Sequence, residues 1–370
     1  MTESRARLRV GVIGTGVIAQ VMHLHFLREL ADRYEIAALC DLSRQTAQFC
    51  ANEYGVATVH TDWREVLREP VDAVLVLTSG SHAPIAIEAA RAGLHVFVEK
   101  PMCFSVAEAS DMVDEATRAG VTLMVGYPKR YDPAYARFVE EAALLADKKL
   151  LRVTTTESPF LPYVRHYPLT AAPADVDASV LEAVAADGDH RLRAAIGTDD
   201  PFLLHQYRAV LLDTLVHEIN TVRGVLGEPT TLDYVELREG HATVLLDFDG
   251  LTAAIHWLET PGMTRYSMEF SMHAANGRVT LTFPSPYLRN APTMLAVERG
   301  DADDVTSWHR DTITSYESGF KAELRAFHDA LRAGRPVVTD GADALRDIAL
   351  CQAIVRCAVE RTPIEHPTEV

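Results

Sequence analysis

Leu8-Arg-Val-Gly-Val-Ile13-Gly14-Thr-Gly16-Val-Ile-Ala19 decides how the first third of this chain folds. A short β-rich run ends in Gly-x-Gly-x-x-Ala, and a helix-compatible stretch, Gln20 to Tyr34, follows. In that setting Gly14 permits the tight turn, and Gly16 lets backbone N–H groups approach a pyrophosphate at the helix N-terminus. Ala19 is small enough for helix and strand to pack closely. Val17 and Ile18 share the loop and are expected to line the same dinucleotide. A second strand, Glu35–Cys40, ends at Asp41, about where an acidic residue meets the adenosine ribose. An aspartate there repels a 2′-phosphate and favours NAD. Arg44, just past the strand, keeps NADP open.

The pattern continues outward. Val71–Leu77 is a continuous apolar run, as a buried parallel strand requires, and is followed by the loop Thr78-Ser79-Gly-Ser-His82. A helix from about Pro84 to Ala92 leads to the strand Leu94–Val98, which ends in Glu99-Lys100-Pro101. Strands alternating with helices predict a doubly wound parallel sheet with right-handed crossovers. Ligands of such sheets bind beyond the carboxyl ends of the strands, where Thr78, Ser79, His82, Glu99 and Lys100 fall.

Bulk properties narrow the classes. A chain of 370 residues is comfortable for two domains, and its 48% hydrophobic and 24% charged residues suit an ordinary globular protein. The formal charge of −17, with no basic run, argues against a nucleic-acid or anionic-membrane partner. The N-terminus has no apolar core or cleavage site, so no signal peptide is expected, and no apolar run approaches the about 20 residues that span a bilayer. Cys40, Cys50, Cys103, Cys351 and Cys357 are scattered and form no C-x-x-C pair. Reduced thiols in a cytoplasm fit them, and no metal site is expected.

Beyond Gly126 the period changes. Leu150–Glu157 reads as a strand, and a polar, Pro-rich insertion occupies about 158–206, with one or two surface helices between Asp175 and Ala195. The next helix carries Asp213, His217 and Asn220 on one face, at i, i+4 and i+7, and closes at Gly224 and Gly227. Asp249-Gly250 joins Thr243–Phe248 to Leu251–Leu258, and Asn276-Gly277 joins Tyr266–His273 to Arg278–Phe283. The expected architecture is α/β: a Rossmann domain over 1–125, then an α+β domain over 126–340 with a largely antiparallel open sheet. A closing helix and tail, 341–370, pack back toward the first domain.

Together these features resemble the Gfo/Idh/MocA family, the glucose–fructose oxidoreductases and inositol dehydrogenases. The resemblance is carried by Gly14-Thr-Gly16-Val-Ile-Ala19, Asp41, Glu99-Lys100-Pro101 and Gly126-Tyr-Pro-Lys-Arg-Tyr-Asp-Pro133. Asp213-x-x-x-His217 and the C-terminal stretch Tyr316 to Phe327 add to it. It implies NAD(P) as cofactor, a sugar- or polyol-like substrate, and a homodimer or homotetramer built on the second sheet. It also implies that Lys100, Asp213 and His217 form the catalytic group. Chemically, His217 suits a base for the hydroxyl proton, Asp213 would orient it or bind the hydroxyl, and Lys100 would stabilise the alkoxide. The bland alternatives are a solvent-facing lysine and a helix cap. Tyr127, Tyr163, Arg165, His166 and Asn220 are the candidate substrate contacts, with a supporting role open for Asn220.

Three departures from the family pattern stand out: the short loop at Thr78–His82, Pro128 where a polar residue is frequent, and no Gly-Gly before Asp213. Two other activities occur among such proteins. One is glycoside cleavage through transient oxidation and elimination; the other is non-catalytic, dinucleotide-responsive binding.

Overall fold

The computed structural model describes residues 7–170, 173–301, 303 and 306–360. The N-terminal residues 1–6 and the tail 361–370 lie outside it. Six strands, β1 (Leu8–Ile13), β2 (Tyr34–Cys40), β3 (Thr58–His60), β4 (Ala73–Val76), β5 (His95–Glu99) and β6 (Leu123–Gly126), form a parallel sheet in the order β3-β2-β1-β4-β5-β6. The order reverses between β1 and β4, which opens a crevice at their carboxyl ends. All four residues of β4 are buried, as its unbroken apolar run demands. Edge strand β3 is only three half-buried residues, too short to leave a pattern in the sequence.

The helix expected over Gln20–Tyr34 is shorter. A π-helical turn, Ala19–His23, passes into an α-helix that ends at Glu29. Tyr34 already belongs to β2, because its ring is buried and its hydroxyl donates to the Leu324 carbonyl at 2.5 Å.

The second sheet has eight strands: β7 (Lys148–Glu157), β8 (Thr231–Arg238), β9 (His241–Phe248), β10 (Leu251–Glu259), β11 (Ser267–Ala274), β12 (Gly277–Phe283), β13 (Met294–Asp301) and β14 (Thr306–Ile313). Their order is β14-β13-β12-β11-β7-β10-β9-β8, antiparallel except for the β7–β10 pair. Asp249 and Gly250 have φ of 53° and 90°, the left-handed pair a two-residue hairpin needs. Alternation is clean in β9, where Ala242, Val244, Leu246 and Phe248 face the core.

Two later helices return to the first sheet. Phe320, Leu324 and Phe327, on helix Gly319–Ala333, share a core with Leu8, Val10 and Leu24. Helix Gly341–Glu360 lies against helix Val106–Ala119, where the Val106 N–H donates to Gln352 at 3.0 Å. The return therefore begins at Gly319 rather than at 341. The insertion holds helices Leu161–Val164, Ala178–Ile196 and Pro201–His205. The longest of them buries only Leu192 fully and is tied to the first domain by Arg191 and Glu108 at 2.8 Å.

Gly224 does not end its helix, which runs from Val216 to Leu226 and is closed by Gly227 at φ 86°. Its role is close approach: a Cβ there would sit 2.3 Å from the Tyr135 hydroxyl and 2.4 Å from the Arg130 guanidinium. Gly224→Ala should therefore cost about 1–3 kcal/mol of stability through overpacking. Urea unfolding with an unchanged midpoint would refute this.

Candidate active site

The glycine turn is built to receive a dinucleotide. Gly14 has φ 97°, its N–H donates to the Cys40 carbonyl at 2.8 Å, and a Cβ would lie 2.7 Å from the Leu77 and Thr78 backbone. A Cβ on Gly16 would meet nothing within 4 Å, so the turn is closed toward the sheet and open toward the crevice. That is the shape a pyrophosphate needs at a helix N-terminus. Val17 is exposed beside it and Ile18 half-buried. Asp41 is held rigidly: one carboxylate oxygen accepts the Thr15 N–H and hydroxyl at 2.8 and 3.0 Å, the other the Ser43 N–H at 3.0 Å. Arg44 is exposed at the start of helix Arg44–Tyr54, and Thr78 and Ser79 stand half-buried and exposed past β4.

Two expected cofactor contacts turn inward. His82 is buried, with its ring nitrogens 2.7 Å from the Thr78 carbonyl and 2.8 Å from the Pro101 carbonyl. It staples the loop after β4 to the segment after β5. Glu99 is also buried; it pairs with His23 at 2.6 Å and accepts the Lys100 N–H at 3.0 Å. Burial raises its carboxyl, but His23 and Lys100 outweigh that and hold it below the usual range. Glu323 joins this cluster with both carboxyl oxygens buried and unpartnered. Burial, then the Glu99 charge, push its carboxyl well above the usual carboxylate range.

Lys100, Asp213 and His217 converge at the end of β5, though not as the helical spacing suggests. Gln206–Leu215 is π-helical, and Asp213 and His217 straddle the junction with the following α-helix. Asp213 turns to Lys100 instead: Nζ donates to its carboxylate at 2.8 Å and to its carbonyl at 2.7 Å. The ion pair joins the two domains. Burial lowers Lys100, but Asp213 and Glu99 beside it prevail and hold the ammonium above its ordinary value.

His217 is half-buried, with Nδ1 buried and unpartnered and the Tyr127 ring edge-on at 6.1 Å. Burial, then Lys129 and Lys100, push its imidazole well below the ordinary value. The shift favours the uncharged ring.

Three further groups gather here that the sequence reading does not single out. Lys129, in the turn Pro128–Tyr131, is buried beside Glu218, Lys100 and Glu157. Burial lowers its ammonium, with Glu218 opposing. Glu218 is fully buried and accepts the Thr155 hydroxyl at 2.5 Å; burial raises its carboxyl, as it does that of half-buried Glu157. The available signal is position: Lys129 follows β6 within a turn, and Glu157 ends β7. A lysine or glutamate reads as solvent-facing by default, which hides both.

The substrate candidates fare differently. Tyr127 is buried behind His217 and supports its ring. Asn220 is also buried. Its Nδ2 donates to Asp343 and Asp347 at 2.9 and 2.7 Å, and its Oδ1 accepts from Arg130 at 3.2 Å. Its amide is spent on a network that Arg223 completes through Asp347 at 2.5 Å, so it pins the helix that carries His217. The Tyr163 hydroxyl is held between the Thr264 carbonyl and the Tyr266 N–H, and Arg165 and His166 are exposed, the latter tilted against the Tyr167 ring at 4.6 Å.

Comparison with known proteins agrees with this geometry. The family profile described as oxidoreductase family, NAD-binding Rossmann fold, matches residues 8–127, and that of its C-terminal alpha/beta domain matches 206–365. A myo-inositol 2-dehydrogenase of Thermotoga maritima is 24% identical, over 97% of this chain and 98% of its own. An inositol 2-dehydrogenase of Saccharopolyspora erythraea is 26% identical, over 94% and 92%. In fold, the chain superposes on a 3-ketoreductase from Actinomadura kijaniata solved with NADP and TDP-benzene, with TM-score 0.71, 20% identity and coverage of 95% and 98%. An oxidoreductase from Agrobacterium radiobacter, solved with NAD⁺, L-tartaric acid and magnesium, gives TM-score 0.71 at 19% identity, covering 96% and 97%. With both domain profiles matched around a shared crevice, the chain belongs to the Gfo/Idh/MocA family of NAD(P)-binding oxidoreductases.

Proposed function

We propose that this protein interconverts a secondary alcohol and a ketone on a sugar, polyol, sugar nucleotide or related cyclic alcohol, with NAD preferred to NADP. The observation that carries this reading is the Lys100–Asp213 ion pair beside a neutral, half-open His217, at the strand ends where a nicotinamide belongs. Gly14, Gly16 and Asp41 hold the dinucleotide, which when bound supplies the redox chemistry. His217, uncharged, accepts the hydroxyl proton in the oxidation direction. Lys100, kept cationic by Asp213, stabilises negative charge growing on the substrate oxygen. Asp213 is 66% exposed and presents its carboxylate to a substrate hydroxyl. Lys129 adds a second cation deeper in the pocket. The named inositol dehydrogenases support a polyol-like substrate.

Among the described residues no helix is long and apolar enough to cross a membrane. We place the enzyme in the cytoplasm as a homo-oligomer paired through the outer face of the second sheet, where Leu258, Met294 and Ile313 are exposed.

Lys100→Met and His217→Ala should each lower turnover at least ~100-fold while NAD still binds by fluorescence titration. Near-normal turnover in both would sink the assignment. A screen of inositols, sugars and glycosides for NADH absorbance tests the substrate class; glycoside cleavage without net NADH would move the protein to the oxidation–elimination reaction.

The pH profile tests the electrostatics. A base with a lowered pKa stays unprotonated as pH falls, so kcat/KM for oxidation should hold through about pH 6.5, where a free imidazole would be half protonated. Lys129→Met removes one cation that depresses His217 and should shift the acid limb upward. A limb already near pH 6.5, unmoved by that substitution, would contradict the arrangement.

A further inference from the structure

The proposed chemistry gives the 158–206 insertion no task, yet part of it reaches back to the glycine turn and the end of β2. Gln20, buried beside the turn, donates from Nε2 to the Thr15 carbonyl at 2.7 Å and to the Thr170 hydroxyl at 3.2 Å. Its Oε1 accepts the Thr170 N–H at 3.1 Å. Arg289 lies over the Tyr167 ring at 4.4 Å and donates to the Val21 carbonyl at 2.7 Å. Further along, the Asp175 carboxylate accepts the Ser43 hydroxyl at 2.6 Å through one oxygen and the Gln45 N–H at 2.8 Å through the other.

Ser43 thus serves two carboxylates from two domains. Its N–H goes to Asp41 and its hydroxyl to Asp175. Ser43 caps helix Arg44–Tyr54, and the donors in play, a cap hydroxyl and a first-turn N–H, are those an anion takes at a helix start. They stand beside the aspartate placed at the adenosine ribose, with Arg44 between them in sequence. The 2′-phosphate of NADP would need the same hydroxyl, the same N–H and the arginine. Asp175 already holds the first two and adds a second negative charge beside Asp41. The hydrogen bonds from Ser43 and Gln45 keep its carboxyl below the usual range, so the charge is present at neutral pH.

We infer that Asp175 is a specificity-determining residue for the cofactor: its carboxylate stands where the 2′-phosphate of NADP would bind and excludes it. The inference rests on the reading that Asp41 holds the adenosine ribose. It gives the insertion a function. Cofactor choice is set jointly by the first domain, through Asp41, and by a segment of the second, through Asp175. The side chain is exposed, so its loss removes an anion without opening a core.

The test uses the full chain with NADH and NADPH, titrated by nicotinamide fluorescence. Asp175→Ala should tighten NADPH on the order of tenfold, because a like charge is removed and its donors are freed, while NADH changes less than about threefold. Asp175→Asn, which keeps the shape and removes the charge, should give part of the gain. Asp41→Ala is measured alongside and should weaken NADH on the order of tenfold or more. If Asp41→Ala weakens NADH but neither Asp175 variant gains NADPH, the inference falls and the ribose reading stands. Equal changes in NADH and NADPH on losing Asp175 also overturn it. If Asp41→Ala leaves NADH unchanged, the ribose reading falls and the inference with it.

Discussion

Lys100 is the joint on which the crevice depends. It leaves a buried parallel strand at the point where the sheet's ligand must lie, and its ammonium meets both the carboxylate and the carbonyl of Asp213. A surface ion pair of this length would contribute little. Here the lysine side chain is only 18% exposed and the partner carbonyl is fixed in a π turn, so the pair sets the spacing between the domains. Behind it, Glu99 is tied to His23 and to the Lys100 backbone, which keeps the strand end from moving.

Around that joint burial, then buried Lys129 and half-buried Lys100, push the His217 imidazole down, and the carboxyls of Glu157 and Glu218 nearby are themselves raised by burial. The overall charge of −17 therefore says little about this place, where Lys100 and Lys129 stand among Asp213, Glu99, Glu157 and Glu218.

Much of this is legible in the sequence. The glycine turn, the buried strands and the hairpin at Asp249-Gly250 are local signals whose physics is the same in any fold. Lys100 was legible because a strand end and a crevice coincide there. What stayed hidden depends on partners distant in sequence. Asp213 gives its carboxylate and its carbonyl to Lys100, 113 residues earlier in the chain, a contact that no local pattern announces. Asn220, a candidate contact with a supporting role open, turns its amide to Asp343 and Asp347, and Tyr127, which reads as a ligand contact, lies buried edge-on to His217. Lys129 is hidden for the opposite reason, since nothing local announces that a lysine is buried.

The return of helix Gly319–Ala333 to the first sheet bears on how the chain acquires its structure. One face of that sheet is completed by Phe320, Leu324 and Phe327, packed with Leu8 and Val10 from the other end of the polypeptide. During synthesis the glycine turn and its strands emerge first, but their apolar face stays uncovered until the last part of the second domain has left the ribosome. Contacts of such sequence separation slow folding and leave hydrophobic surface waiting for its partner. Excision near residue 125 would therefore yield a fragment missing part of its own core.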